Sequence, residues 1–207
     1  MDFKKYSTFF LFLLMAIVAF SQTEIQKNTF EITQKKWVDS VLNTLSIDQK
    51  IGQLFMIAAY SNKDEKHYQI TENLIQQHQL GGLIFMQGTP LKQAELTNRY
   101  QQKSKIPLLI GFDGEWGLSM RLKESYKYPW NMTLGAIREN DLVEEFGKQV
   151  GKQLKRIGVH VNFAPVVDVN INPLNPIIGN RSFGENKINV AEKAIAFTKG
   201  IQSERVI

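Results

Sequence analysis

Three short stretches hold the residue types that could do chemistry on a polar substrate. "FDGEWGLSMRL" supplies Asp113, Glu115, Trp116 and Arg121, "APVVDVN" supplies Asp168, and "IGNRSFGEN" supplies Asn180, Arg181 and Glu185. Two carboxylates close in sequence suggest a glycosidase, which needs a pair of Asp or Glu groups flanking the bond it breaks. On an extended chain the side chains of Asp113 and Glu115 would point the same way, with roughly 6 to 7 Å between their Cα atoms. The pattern alone leaves plainer roles open. One carboxylate could cap a turn while the other is solvated. Arg121 could make a surface ion pair, Arg181 could brace a loop, Trp116 could fill core, and Asp168 could bond loop amides. A tryptophan beside carboxylates at a strand end also suits stacking on a sugar ring.

Other chemistries find little support. His67 and His78 lie in polar helical surroundings, and His160 begins a strand at the end away from the expected site. No histidine pair has metal-ligand spacing, there is no cysteine, and no G-x-S-x-G turn presents a serine nucleophile. Neither a metal nor a cofactor is expected. The formal net charge is +5, a mild excess with lysines scattered at helical spacing, as in "GKQVGKQLKR". That reads as solvated helix faces and not as a nucleic-acid stripe.

These residues must be held by elements, and the pattern predicts a βα rhythm. "KKWVDSVLNTL" carries a helical apolar stripe, and Ser46 with Gln49 makes a capping box for a short second helix. Strands follow around 54–59, at "GLIFM", at "IPLLIGFD" and at "VHVNFAPVVDV". Between them lie a helix ending at Gly81 and Gly82, one opened by Thr89 and Pro90, and one capped by Asn140. Asn189 with Glu192 opens a last helix, and "RVI" resembles the start of a fifth strand. Strands separated by helices describe parallel crossovers, and the near-continuous apolarity of "GLIFM" and "PLLIGF" predicts that both sheet faces are covered. No Gly-rich phosphate turn follows the first strand, so a (β/α)8 TIM-type barrel is favoured over an open doubly wound sheet. A complete barrel takes roughly 250 residues, so about the first four βα units are expected, in a gene product or fragment that stops early. Functional groups of such a barrel sit at the C-terminal ends of the strands, where the three stretches fall.

The N-terminus has its own reading. Residues 1–21 combine Lys4 and Lys5, an apolar run from Phe9 to Phe20 and the small residues Ala19 and Ser21. This is a secretory signal with cleavage after Ser21, followed by a polar lead-in or linker over 22–36 and the barrel portion over 37–207. The apolar run is short of the roughly 20 residues of a membrane span, although an uncleaved anchor is the alternative. Removing Asp2, Lys4 and Lys5 leaves a charge of +4 from +5. Export without any cysteine suits a bacterial periplasm or surface.

The motifs "IGFDGEWGLSMRL", "VNFAPVVDVN" and "IIGNRSFGEN", in that order, with the lead-in "LSIDQKIGQLFM" and the strand "GGLIFM", resemble the N-terminal domain of glycoside hydrolase family three, in its β-N-acetylhexosaminidase branch. The resemblance implies a barrel and retaining removal of terminal β-linked N-acetylhexosamine from peptidoglycan- or chitin-derived sugars. Asp113 matches the carboxylate that bonds hydroxyls of the non-reducing sugar. Arg121 matches the arginine closing the family's D-x-E-G-G-x-x-x-R motif, and Arg181 the arginine of its G-x-R-S-F/Y motif. Glu115, Trp116 and Asp168 are possible supporting residues. Trp116 and Leu118 depart from the family pattern, where glycine and arginine are common. The family's K-H-F-P-G-H-G segment, its His-Asp acid/base pair and its aspartate nucleophile would all align beyond Ile207. The 207 residues alone are therefore expected to be an inactive and poorly folded fragment that still carries substrate-binding residues. A β-glucosidase of the same family, a secreted non-catalytic sugar-binding module and an unrelated barrel enzyme are the alternatives.

Overall fold

The computed structural model describes residues 29–207. The expected signal segment and the first part of the lead-in lie outside the described residues. The described residues fall into two units, divided between Ile47 and Asp48. In the first, helix α1 spans 29–42, so residues 29–36, read as linker from their polarity, are helical. Glu, Gln and Lys are good helix formers whatever their polarity. The hydroxyls of Thr33 and Ser40 bond back to the carbonyls of Thr29 and Trp37 at 2.8 and 2.7 Å, so they do not compete with the helix from outside.

The second unit is built of βα repeats. Helix α2 (Ile47–Gly52) leads to strand β1 (Met56–Ala59), α3 (Glu65–His78), β2 (Gly82–Phe85), α4 (Pro90–Lys103) and β3 (Leu109–Phe112). A long excursion holding the short helix α5 (Asn131–Gly135) precedes α6 (Asn140–Arg156), β4 (Val161–Asn162) and α7 (Lys187–Ser203). The four strands pair in parallel in the order β1-β2-β3-β4, as a barrel wall requires. Beyond β4, the amide of Ile207 donates to the carbonyl of His160 at 2.9 Å, and the amide of Asn162 to that of Ile207 at 2.7 Å. Residue 207 thus stands where a fifth strand would begin.

Register separates the two sheet faces. Ile57, Leu83 and Ile110 lie side by side, as do Ala59, Phe85 and Phe112. Apart from the partly buried Ile57, these are fully buried, and they form the core with residues of α3, α4, α6 and α7. The alternate positions hold Met56, Gly82 and Leu109, then Ala58, Ile84 and Gly111. Leu109 there is 51% exposed. This second face is covered only in part, less than apolarity predicts: Gly82 and Gly111 are buried, Met56 and Ile84 partly so, and Ala58 and Leu109 are exposed. In a closed barrel the inward face is filled by side chains from strands all the way round, and four strands do not close that ring.

Several helix ends differ from the sequence expectation. Thr89 and Pro90 open α4 as read, with the Thr89 hydroxyl accepting from the Lys92 amide at 3.3 Å. Helix α3, however, stops at Gln79, which takes the left-handed conformation (φ 52°), and Gly82 belongs to β2. Glu139 occupies the cap position of α6. Asn140 cannot cap it because its Oδ1 accepts from the buried Lys193 ammonium at 2.6 Å. Helix α7 starts three residues early: Asn186 accepts from the amides of Ile188 and Asn189 at 2.9 and 3.1 Å. Asn189 instead donates to the Gly135 carbonyl at 3.0 Å. In both places a tertiary partner outcompetes a local cap. Helices α6 and α7 meet through glycines, since a Cβ on Gly200 would lie 2.0 Å from the Glu144 carbonyl oxygen.

Candidate functional site

All four strands deliver their following loops to one end of the sheet, and two of these loops form the site. The turn after β3 is fastened from β4 by Asn162, a buried amide whose Oδ1 accepts from the Gly114 amide at 2.8 Å. This pins the backbone between Asp113 and Glu115. The chain then leaves extended geometry, with the Gly117 amide bonded to the Gly114 carbonyl at 3.2 Å and Gly117 at φ +84°. A positive φ there favours glycine.

The turn sends its carboxylates to different arginines. Glu115 is buried and clasped by Arg181: Nη2 donates to Oε1 at 2.7 Å, and Nε reaches Oε1 and Oε2 at 3.2 and 3.1 Å. This bond lifts the Arg181 guanidinium above its ordinary pKa, against the opposing effect of burial, and the charges of Glu115, Asp168 and Asp113 add to it. Asp113, partly buried, is ion-paired with Arg121. The two carboxylates are therefore not a facing acid–base pair. Glu115 has both oxygens engaged by one arginine, and Asp113 sits at the edge of the site.

The loop after β4 positions Arg181 by its backbone. The Arg181 carbonyl accepts from Asn131 Nδ2 at 2.8 Å, and the Ser182 hydroxyl donates to the Asp168 carbonyl at 2.5 Å. Asp168 thus braces the loop through its main chain, while its side chain is exposed and contributes charge to Arg181. Asn180 and Glu185 are exposed on the same loop. Trp116 stacks on Trp130, with ring centroids 4.2 Å apart and planes at 40°. A cavity of about 640 Å³ lies beside the site at the ends of β1 and β2, lined by Ser61, Gln87, Thr89, Arg121 and Lys123 among others. Arg121 thus lines the cavity while its guanidinium holds Asp113.

The histidines stand apart from this cluster. His67 and His78 lie on α3, and His160 precedes β4, where its Nδ1 accepts from the Ile110 amide at 3.0 Å. Among the described residues no group of three or more His, Cys, Asp and Glu could hold a metal ion, and no helix is long and apolar enough to cross a membrane. The structure adds three residues that sequence reasoning missed: Asn131, Asn162 and Trp130. Only Asn162 had a legible signal, as a polar residue inside the apolar run "VHVNFAPVV".

Comparison with known proteins agrees with the βα architecture. Residues 46–207 match the glycosyl hydrolase family 3 N terminal domain. A "Beta-N-acetylglucosaminidase/beta-glucosidase" of Cellulomonas fimi is 30% identical over 168 residues, 81% of this chain and 29% of the relative. A β-N-acetylglucosaminidase structure from Paenibacillus sp. str. FPU-7, titled as a glycoside hydrolase family 3 enzyme, superposes with a TM-score of 0.68 at 32% identity, covering 78% of this chain and 32% of that one. The "Beta-glucoside phosphorylase BglX" superposes with a TM-score of 0.79 at 26% identity, covering 84% and 31%. The chain spans less than a third of the length of each. With the parallel βα wall and the family match over 46–207 together, the chain belongs to glycoside hydrolase family three, as part of its N-terminal barrel domain.

Proposed function

We propose that this chain carries the sugar-gripping part of a β-N-acetylhexosaminidase-type glycosidase acting by a retaining mechanism on N-acetylglucosamine-containing sugars from peptidoglycan or chitin. One observation carries the reading. Glu115 is consumed by its clasp with Arg181, which leaves Asp113, beside Arg121 at the strand ends, as the carboxylate available to sugar hydroxyls. Charge-assisted bonds of this kind fix a ring and position its anomeric carbon. A retaining route also needs a free nucleophile and an acid/base group. Neither arginine-bound carboxylate suits those tasks, so the 207 residues alone are proposed to bind sugar without cleaving it. Export through the N-terminal signal, to a bacterial periplasm or the medium, belongs to the same reading, and a mature N-terminus at Gln22 is the outcome that tests it.

The assay is release of 4-nitrophenol from 4-nitrophenyl N-acetyl-β-D-glucosaminide by the full-length protein, compared with the β-glucoside. Faster turnover of the N-acetylated substrate supports the reading, and preference for the glucoside overturns it in favour of a β-glucosidase. The superposition on a β-glucoside phosphorylase favours one further reading, in which inorganic phosphate replaces water as acceptor. Turnover that requires phosphate and yields the sugar 1-phosphate would establish it.

A further inference from the structure

We propose that the Trp116–Trp130 pair is a stacking platform for a second pyranose ring of a β-linked N-acetylglucosamine oligosaccharide, next to the ring held at Asp113; this rests on the sugar-site reading above. Trp130 is 41% exposed, so part of its indole is open to a ligand. It is nonetheless firmly held. One contact is with the Trp116 ring, at 4.2 Å between centroids. Its carbonyl accepts from the amides of Thr133 and Leu134 at 3.0 and 3.2 Å, which fixes the backbone.

Both tryptophans are tied to Arg181. Trp116 directly follows Glu115, which Arg181 clasps, and Trp130 directly precedes Asn131, whose amide bonds the Arg181 carbonyl at 2.8 Å. The aromatic pair is thus continuous with the polar site, and the links join residues 50 and 66 positions apart in sequence. A rigid, exposed indole face carries the negative side of its quadrupole and suits the C–H face of a pyranose. Neighbouring arginines and carboxylates suit the hydroxyl rim of the same ring.

The test is calorimetric titration of the full-length protein with N-acetylglucosamine and with thio-linked N,N′-diacetylchitobiose, whose sulfur bridge resists cleavage. Trp130→Ala is expected to weaken the disaccharide about tenfold and to leave the monosaccharide unchanged. Trp130→Phe should recover much of the loss. Trp130→Leu keeps apolar bulk without a π face, so it should fold even if the alanine variant does not, and should still bind the disaccharide weakly. Asp113→Asn should weaken both ligands. If Trp130→Leu binds the disaccharide like wild type while Asp113→Asn does not, the platform is overturned and the sugar site stands. Equal weakening of both ligands by Trp130→Leu also overturns it, because the tryptophan then merely shapes the loop. If wild type binds neither sugar, the site reading itself fails and takes the platform with it.

Discussion

Arg181 and Arg99 have equally exposed side chains, 33% each, and both bind carboxylates, yet they work in different surroundings. Arg99 lies on α4 and reaches two glutamates on α3, Glu65 at 58% and Glu72 at 12% side-chain exposure. Arg181 reaches a single glutamate, Glu115, at 3% exposure, across two loops. The worth of such a pair depends on the more buried partner. A solvated carboxylate that loses its arginine turns to water, whereas a buried one is left charged without a partner. The arginine on the helical layer therefore divides its contacts between a solvated glutamate and a mostly buried one, and the one at the strand ends spends all of its on a single buried carboxylate.

The largest expected effect tests that contrast directly. Arg181→Ala should cost about 3 kcal/mol or more in denaturant unfolding, because it leaves the buried Glu115 carboxylate charged without its partner. The loop carrying Arg181 should also become more open to proteolysis. A second effect belongs to the helical layer alone. Tyr100, next to Arg99, is fully buried, and burial pushes its phenol up to about 12. Below about pH 10 the phenol is protonated whether folded or unfolded, so stability is flat there. From about pH 10 to 12 only the unfolded chain sheds the proton, so stability should fall by roughly 2 to 3 kcal/mol. Tyr100→Phe should remove most of that loss in urea titrations across the window.

Smaller effects sharpen the comparison. Asp113→Asn should weaken N-acetylglucosamine binding by about tenfold while shifting Tm little, because Asp113 is at the edge of the site. A large Tm loss would make it structural. Glu72→Gln should cost at most about 1 kcal/mol, since Arg99 retains Glu65. If Glu72→Gln proved as costly as Arg181→Ala, the distinction between the two arginines would collapse.

Much of the fold was legible because it depends on short-range pattern. The apolar runs "GLIFM" and "PLLIGF" became β2 and β3, and Thr89–Pro90 opened α4 because the cap needs only residues three apart. The fourth strand was overread. "VHVNFAPVVDV" is apolar and β-prone over eleven residues, but only Val161–Asn162 pair as a strand. Its later residues run into the loop that carries Asp168 to Ser182. Helix caps failed where a distant side chain claimed the capping group, as Lys193 does with Asn140.

The site divides along the same line. Composition and motif placed Asp113, Arg121 and Arg181 at strand ends, since residue type and order along βα units suffice for that. Which carboxylate meets which arginine depends on the turn at Gly114–Gly117 and on the Asn162 clamp from a neighbouring strand. The Trp116–Trp130 stack likewise exists only once the excursion after β3 folds back. Local chemistry is written in neighbouring residues and can be read from them. The pairing of groups tens of positions apart is decided by packing, because burial fixes which partner remains when water is gone.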